Sequence, residues 1–397
     1  MERREFIQKS VFASGMLMVP SFLKGMEFLT PEQLSGYRNV IIIQLSGGND
    51  GLNTIVPTTN DIYYKLRPSI AKKKDQTLKI NDDLGFNAKM KEIKALYDNG
   101  DIAILNNVGY PNPNRSHFRS TDIWQTASDA NQYLSTGWVG RYLDSNCQNP
   151  YQAIEVDASL SLAMKGKIMN GIAVSDPNSL FRTTREPFFK NIMDHTRPEM
   201  LDEDNQGYLY KTMLETYSSA EYIYERSKIY STDLQYPNTA FGKNLKSIAD
   251  FIVSGLKTRV YYSSLGGFDS HVNQVMTQDR LLENYSKSIG ALVKDLKKND
   301  RFKDTLILTF SEFGRRVKQN GSRGTDHGSA NNVLVMGGSL KKAGVLNELP
   351  NLTDLDGNGD IKFTTDFRSI YATILNNWLE VKDDKILDKK FKTLNFV

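Results

Sequence analysis

Histidine is scarce in this chain of 397 residues, and the positions of its four histidines suggest a site for chemistry. Three of them lie beside a serine or an aspartate in short polar stretches: Ser116 with His117, Asp269 with His271, and Asp326 with His327. Imidazole nitrogen together with carboxylate oxygen suits Zn²⁺, Mn²⁺ or Fe²⁺ better than Ca²⁺, which prefers oxygen alone. We interpret the aspartate–histidine pairs as candidate metal ligands. The alternative is that each pair is a hydrogen-bonded lock within its own loop.

The spacing of Asp269 and His271 favours the metal interpretation. Residues i and i+2 of an extended segment turn their side chains to the same side, and a divalent ion needs ligands that converge. Asp326 and His327 are adjacent in the sequence, so they can serve one ion or two.

Apolar segments of strand length lie next to these polar loops. Residues 39–46, 260–265, 305–310 and 332–336 are rich in apolar and β-branched residues, and each adjoins a polar, glycine-containing loop. Residues 280–298 show the apolar spacing of a long helix. Strands that alternate with helices predict an α/β fold with a mostly parallel central sheet and helices on both faces.

Ligands of such sheets bind beyond the carboxyl ends of the strands. Asp50 comes straight after the first predicted strand, so its carboxylate is a further candidate site residue. The alternative is that Asn49, Asp50 and Gly51 form only a turn, for which these residue types are well suited.

Composition narrows the classes of function. Lys and Arg number 50 against 46 Asp and Glu, which leaves a net charge of +4 with scattered basic residues, so we expect no nucleic-acid partner. The single cysteine, Cys147, excludes an intrachain disulfide and a cysteine-based zinc site.

The amino terminus has the order of a twin-arginine export signal. Arg3 and Arg4 precede Phe6 and a stretch of apolar and small residues at 10–23, which is too short to span a bilayer. We expect residues 1–30 to direct the folded protein through the twin-arginine translocase to the periplasm or cell envelope. The alternative is an amphipathic first helix.

Six stretches together carry a resemblance to a known family: LSGGNDGLNTIVP at 45–57, NRSHFRSTDIWQTA at 114–127, GGFDSH at 266–271, SEFGR at 311–315, GTDHGSANNVLVMGG at 324–338 and TDFRSIYATILNNWL at 365–379. The chain resembles, over nearly its whole length, the bacterial family described as domain of unknown function 1501. The resemblance implies twin-arginine export and a fold like that of the alkaline phosphatase and sulfatase superfamily. It implies a fold rather than an activity.

The resemblance also implies roles for single residues. Asp50 stands where the superfamily has the metal aspartate of its first strand. Asp269 and His271 resemble an aspartate–histidine metal pair, although their spacing is tighter than usual. His327 resembles the last histidine ligand.

One strand departs from the superfamily pattern. The strand at 305–310 resembles one that is followed by Asp-His, but here the pair is Glu312-Phe313. The implied ligands then divide between a first ion with Asp269, His271 and His327, and a second with Asp50, Glu312 and Asp326. Either the protein holds two unlike ions or it holds one, and Zn²⁺ or Mn²⁺ is expected.

Hydrolysis of a phosphate or sulfate ester also needs a nucleophile. Ser116 is the first candidate, because prolines precede it and a helical pattern follows, and a helix amino terminus stabilises negative charge. Arg115 and His117 would flank the anion. The alternative role for Ser116 is to cap that helix, and Thr54 is the alternative nucleophile.

We expect residues 31–397 to form a single alkaline-phosphatase-like domain with a helical insertion at about 182–246, a segment rich in tyrosine and charge. The predicted function is that of an exported metal-dependent hydrolase of a phosphate or sulfate ester, with a small-molecule or glycan substrate. The alternative is a non-catalytic binding or assembly protein of the cell envelope, which Phe313 in place of a ligand favours.

Overall fold

The computed structural model of the protein describes residues 35–195 and 205–397. The predicted export signal at 1–30 lies outside the described residues. Within the described part of the chain, every helix is too short or too polar to cross a membrane.

A nine-stranded sheet forms the centre of the molecule. Its order is β11-β5-β10-β9-β1-β8-β6-β7, and β12 pairs with β5. The strands are β1 Asn39–Leu45, β5 Ile102–Gly109, β6 Ala153–Glu155, β7 Ile172–Ala173, β8 Val260–Leu265, β9 Thr305–Phe310, β10 Asn331–Gly337, β11 Gly344–Val345 and β12 Thr365–Asp366. All of them run in one direction except β10, which is antiparallel to β5 and β9. A separate three-stranded sheet contains β2 Ile55–Pro57, β3 Thr77–Lys79 and β4 Leu84–Asn87.

Twelve α-helices accompany these strands in the described residues. They are α1 Gly51–Thr54, α2 Asp61–Leu66, α3 Lys91–Asp98, α4 His117–Thr126, α5 Trp138–Asn146, α6 Pro177–Thr184, α7 Pro187–His195, α8 Asn205–Ser227, α9 Ala240–Val253, α10 Gln274–Lys298, α11 Phe367–Thr373 and α12 Asp384–Leu387. The helix predicted at 280–298 is the larger part of α10. The segment predicted as an insertion contains α7, α8 and the beginning of α9.

Both faces of the central sheet are covered by helices. Because side chains alternate along a strand, Ile41 and Ile43 of β1 join an apolar core with α10, whereas Val40 and Ile42 join a second core with α4 and α11. All seven residues of β1 are buried, as expected for a central parallel strand. The predicted mostly parallel sheet with helices on both faces is therefore confirmed.

The reversed direction of β10 determines where the polar loops meet. The loops after β1, β8 and β9 all leave from the carboxyl edge of the parallel strands. Because β10 runs the other way, the loop that precedes it lies at this same edge. Arg315 and His327 form an antiparallel bridge between the loop after β9 and the loop before β10.

Candidate metal centre

Four loops and the start of α4 meet at the carboxyl edge of the sheet. The loop after β1 passes so close to the loop after β8 that a Cβ on Gly47 would lie 2.4 Å from the backbone nitrogen of Asp269. Gly47 also has φ of +114°, a conformation that other residues rarely adopt. Glycine at this position therefore allows the two loops to touch.

Three histidine rings and one carboxylate converge where these loops meet. Nε2 of His327 lies 3.0 Å from Nε2 of His117 and 3.0 Å from Nε2 of His271. Oδ1 of Asp269 lies 2.9 Å, 3.3 Å and 3.4 Å from the Nε2 atoms of His271, His327 and His117. Residues that are up to 210 positions apart in the sequence thus present their ligand atoms to one point.

The other ring nitrogen of each histidine faces an oxygen that can only accept a hydrogen bond. Nδ1 of His117 donates to Oε1 of Glu312 at 2.9 Å, and Nδ1 of His327 donates to the backbone oxygen of Arg115 at 2.7 Å. Nδ1 of His271 lies 3.2 Å from Oδ1 of Asp326. In the neutral ring the proton is then on Nδ1, and Nε2 presents a lone pair to the centre.

Lone pairs and a carboxylate that face one another repel unless a cation lies between them. Zinc ligands at the usual bond lengths lie about 3.3 Å apart in a tetrahedral site, close to the spacing of the His117, Asp269 and His327 atoms, which all lie within 4.8 Å of one another. A histidine that binds a metal through one ring nitrogen usually donates a hydrogen bond from the other to a carboxylate or backbone oxygen. The residues present therefore fit a divalent transition metal.

The pKa shifts of Asp269 and His327 favour the forms that bind a metal, whereas the pKa shift of His117 favours the protonated ring. Burial raises the pKa of Asp269, but the hydrogen bond and charge of Arg315 outweigh that effect and lower the pKa to about 2. Burial lowers the pKa of His327, and the hydrogen bond to Glu312 raises the pKa of His117. An ionised carboxylate and a neutral imidazole at His327 are the forms that bind metals.

Arg315 ties the surrounding loops together. Its side chain is fully buried. Its guanidinium group donates to Oδ1 of Asp269 at 2.8 Å and to the backbone oxygens of Gly47, Gly48, Phe268 and Thr325. One arginine thus fixes three of the loops that bring the ligands together.

The carboxylates predicted for a second ion have other partners. Asp50 forms a fully buried ion pair with Arg67 at 2.6 Å and accepts a hydrogen bond from Gln274. Glu312 accepts from His117 and from the backbone nitrogen of Gly47. The carboxylate of Asp326 contacts the outer nitrogen of His271 and the Asn320 side chain. Glu312 and Asp326 therefore lie behind histidines of the centre, and Asp50 lies in a separate polar network.

The predicted nucleophile and its neighbours lie at the start of α4. Ser116 is exposed and occupies the N-cap position, but its side chain makes no capping hydrogen bond. The guanidinium group of Arg115 pairs with the buried Asp360. Thr54, the alternative nucleophile, is buried, and its hydroxyl bonds to Asn49 and the backbone oxygen of Asp50.

A cavity of 270 Å³ adjoins the metal centre. It is lined by His117, Asp269 and Glu312 together with Ser46, Gly47, Phe118, Thr121 and Asp122. The centre therefore opens onto a space that can hold a small substrate.

Two residues of the centre were not anticipated from the sequence as parts of a metal site. His117 was predicted to flank an anion, yet its Nε2 lies beside His327 and Asp269. The sequence feature that could have identified it as a metal ligand is the small number of histidines, only four in the chain. Arg315 is part of the SEFGR stretch, but the sequence did not indicate its role, because that role depends on carbonyl groups from distant loops. Phe313, which replaces an expected ligand, packs its ring against His117 and His327, with 4.8 Å between centroids in both cases.

A family model matches the carboxyl-terminal part of the chain. Residues 226–390 match the family model described as protein of unknown function, domain of unknown function 1501, which confirms the family predicted from the motifs for this part of the chain. No curated protein sequence matches the chain.

Solved structures similar to this chain include three with low identity. One is the PsFucS1 sulfatase from Pseudoalteromonas sp. (11% identity, TM-score 0.38, 92% of this chain and 77% of that chain). Another is a protein in the alkaline phosphatase superfamily from Vibrio parahaemolyticus (9% identity, TM-score 0.34, 79% of this chain and 63% of that chain). The third is the C-terminal periplasmic domain of EcEptC from Escherichia coli in complex with Zn (9% identity, TM-score 0.34, 76% of this chain and 73% of that chain).

Proposed function

Residues 226–390 belong to a family whose description states no activity, so from the geometry of the centre we propose that the protein is an exported metal-dependent hydrolase of a phosphate or sulfate ester. The observation that carries the proposal is the convergence of three histidine Nε2 atoms on the Asp269 carboxylate beside a cavity of 270 Å³. A site with this ligand chemistry that opens onto a substrate-sized space is typical of catalytic metals.

We propose that one ion is held by His117, Asp269 and His327, with the His271 nitrogen next to them. Imidazole-rich sites suit Zn²⁺, and Mn²⁺ is the second choice. When bound, the ion would polarise an ester oxygen as a Lewis acid. The buried Arg315 guanidinium group, 2.8 Å from Asp269, keeps this carboxylate ionised, which is the form that binds a metal.

Ser116 is the proposed nucleophile. Its free hydroxyl at the amino terminus of α4 supports this role, because the helix dipole favours the negative charge that develops on attack. Its oxygen would bond to phosphorus or sulfur while the alcohol leaves with the serine proton. Water would then cleave the seryl ester and restore the hydroxyl. Arg115 contributes through its backbone oxygen, which orients His327.

Metal content and turnover test this proposal together. Mass spectrometry of the dialysed protein should give one transition-metal ion per chain, and Asp269→Ala and His327→Ala should lose it. His195→Ala is the matched control, because His195 is exposed on α7 and its Nδ1 contacts the backbone oxygen of Asn191 in the same helix. Ser116→Ala should keep the metal but lose at least about a hundredfold in kcat on phosphate or sulfate esters, the usual scale for losing a nucleophile.

Other results would contradict the proposal at different steps. A wild-type protein that takes up no metal after exposure to Zn²⁺ and Mn²⁺ would disprove the metal centre. Bound metal without turnover on any ester would favour the alternative, a non-catalytic binding protein of the cell envelope. Phe313, which packs against the rings of His117 and His327 where the superfamily has a ligand, is the observation that favours this alternative.

Export of the protein is part of the same proposal. Arg3, Arg4 and Phe6 precede an apolar stretch in the order of a twin-arginine signal. That route carries folded proteins, which is consistent with a metal centre assembled from distant parts of the chain. We propose a periplasmic or cell-envelope location.

A further inference from the structure

One face of α4 extends from the metal centre along the neighbouring cavity. Phe118, Thr121 and Asp122 all line this cavity. They are spaced i, i+3 and i+4, which places their side chains side by side on a helix. His117, which begins the same helix, presents Nε2 to the metal centre. A group bound by this face would therefore lie directly beside an ester held at the metal.

The charged side chains that line this cavity are mainly acidic. Among the described residues that line it there is no lysine or arginine. Of its three carboxylates, Asp269 pairs with Arg315 and Glu312 pairs with His117. The carboxylate of Asp122 forms no hydrogen bond or ion pair with any residue in the described part of the chain. Asp122 is therefore a negative charge without a counter-charge, which complements a cationic group.

Phe118 adds a surface that suits the same kind of group. Its side chain is 87% exposed, although it lies on a helix that packs against the core. The face of an aromatic ring attracts a cation through its negative quadrupole. An ammonium group between an aromatic face and a carboxylate gains both attractions, whereas a hydroxyl group gains a hydrogen bond only.

We propose that this face of α4, defined by Phe118, Thr121 and Asp122, is a subsite for an ammonium group on the alcohol portion of the ester. The proposal rests on the proposed function, since it names the leaving group of that reaction. The cavity volume of 270 Å³ fits a small amino alcohol. The anionic end of such a substrate faces the proposed metal, and its cationic end faces Asp122.

Binding of choline tests the subsite without using turnover. The matched neutral probe is 3,3-dimethylbutan-1-ol, which has carbon in place of the charged nitrogen. By calorimetry or ligand-observed NMR, choline should bind about tenfold more tightly than the neutral alcohol, as expected for a partly desolvated charge pair. Asp122→Asn should abolish this difference. Phe118→Ala should weaken choline binding about threefold, the scale of an exposed cation–π contact.

The control is Asp98→Asn, which removes the same charge from the carboxyl end of α3, where Asp98 pairs with Lys94. It should leave choline binding unchanged. Equal affinity for choline and the neutral alcohol, or an unchanged preference in Asp122→Asn, would overturn the proposal. Tighter binding of methyl glucoside than of choline would also overturn it and identify a sugar subsite. Metal content is measured in the same samples. If the protein holds its metal but shows no preference for choline, the ammonium subsite is disproved and the metal centre is not.

Discussion

Each histidine of the candidate metal centre is oriented by its Nδ1 atom, which faces away from the other candidate ligand atoms. Glu312, Asp326 and the backbone oxygen of Arg115 are different groups, but all three only accept hydrogen bonds. They therefore select the same tautomer in three rings and leave each Nε2 free to bind. Such outer partners also raise the basicity of the ligand.

Glu155 on β6 gives a prediction about stability and pH. Its side chain is buried, and Oε2 accepts a hydrogen bond from the Ser161 backbone nitrogen at 2.6 Å. Burial raises its pKa from 4.5 to about 7. Between these values the folded state binds more protons than the unfolded state, so this contribution to stability is present below pH 4.5 and is lost as the pH rises through 7. The loss is on the order of 3 kcal/mol.

Urea unfolding of the wild type and Glu155→Gln at pH 5 and pH 8 measures this contribution. The variant should gain stability relative to the wild type as the pH rises, because glutamine does not ionise. Glu348→Gln, at an exposed position, is the control and should show no such change. A constant difference between Glu155→Gln and wild type at both pH values would show that the Glu155 carboxyl is not shifted.

At the scale of elements, the antiparallel strand β10 decides the composition of the centre. A sheet of strands that all run in one direction would place only their following loops at the carboxyl edge. Reversal of β10 places His327, which precedes this strand, at the same edge as Asp269 and His271, which follow β8. The direction of one strand thus completes the set of ligands.

The buried ion pair between Asp50 and Arg67 joins α1 and α2 to the loop after β9. Arg67 also donates to the backbone oxygens of Arg316 and Val317. Arg67→Met should lower the free energy of unfolding by about 3–5 kcal/mol, because it leaves a buried charge without a partner. The double variant Asp50→Asn with Arg67→Met should recover part of this loss, since both charges are removed. Urea denaturation measures both effects.

The same double variant tests the ligand role first predicted for Asp50. If Asp50 serves only this ion pair, the double variant should retain the wild-type metal content. Loss of metal from a folded double variant would show that Asp50 is a ligand after all. Circular dichroism of the purified variants establishes that they are folded.

At the scale of the whole molecule, the candidate metal centre exists only after the chain has folded, because its residues lie up to 210 positions apart in the sequence. Export through a route for folded proteins predicts that metal is bound before translocation. Arg3→Lys with Arg4→Lys should therefore retain the protein in the cytoplasm in a folded, metal-containing form. Cell fractionation followed by metal analysis of the purified protein measures this outcome.

Lys9→Arg is the control for that experiment, because it keeps the positive charge but leaves the arginine pair unchanged. It should be exported like the wild type. Normal export of the double lysine variant would show that residues 1–30 are not a twin-arginine signal. A retained variant without metal would place metal binding after export.

The sequence by itself determined the apolar strands, the family resemblance of residues 226–390 and the candidate ligands Asp269, His271 and His327. These follow from residue type and short spacing, which local patterns record. The tertiary structure decided that His117 joins them and that Asp50 pairs with Arg67. Those outcomes depend on contacts between residues far apart in the chain, and on the direction of β10, so no local pattern could have fixed them.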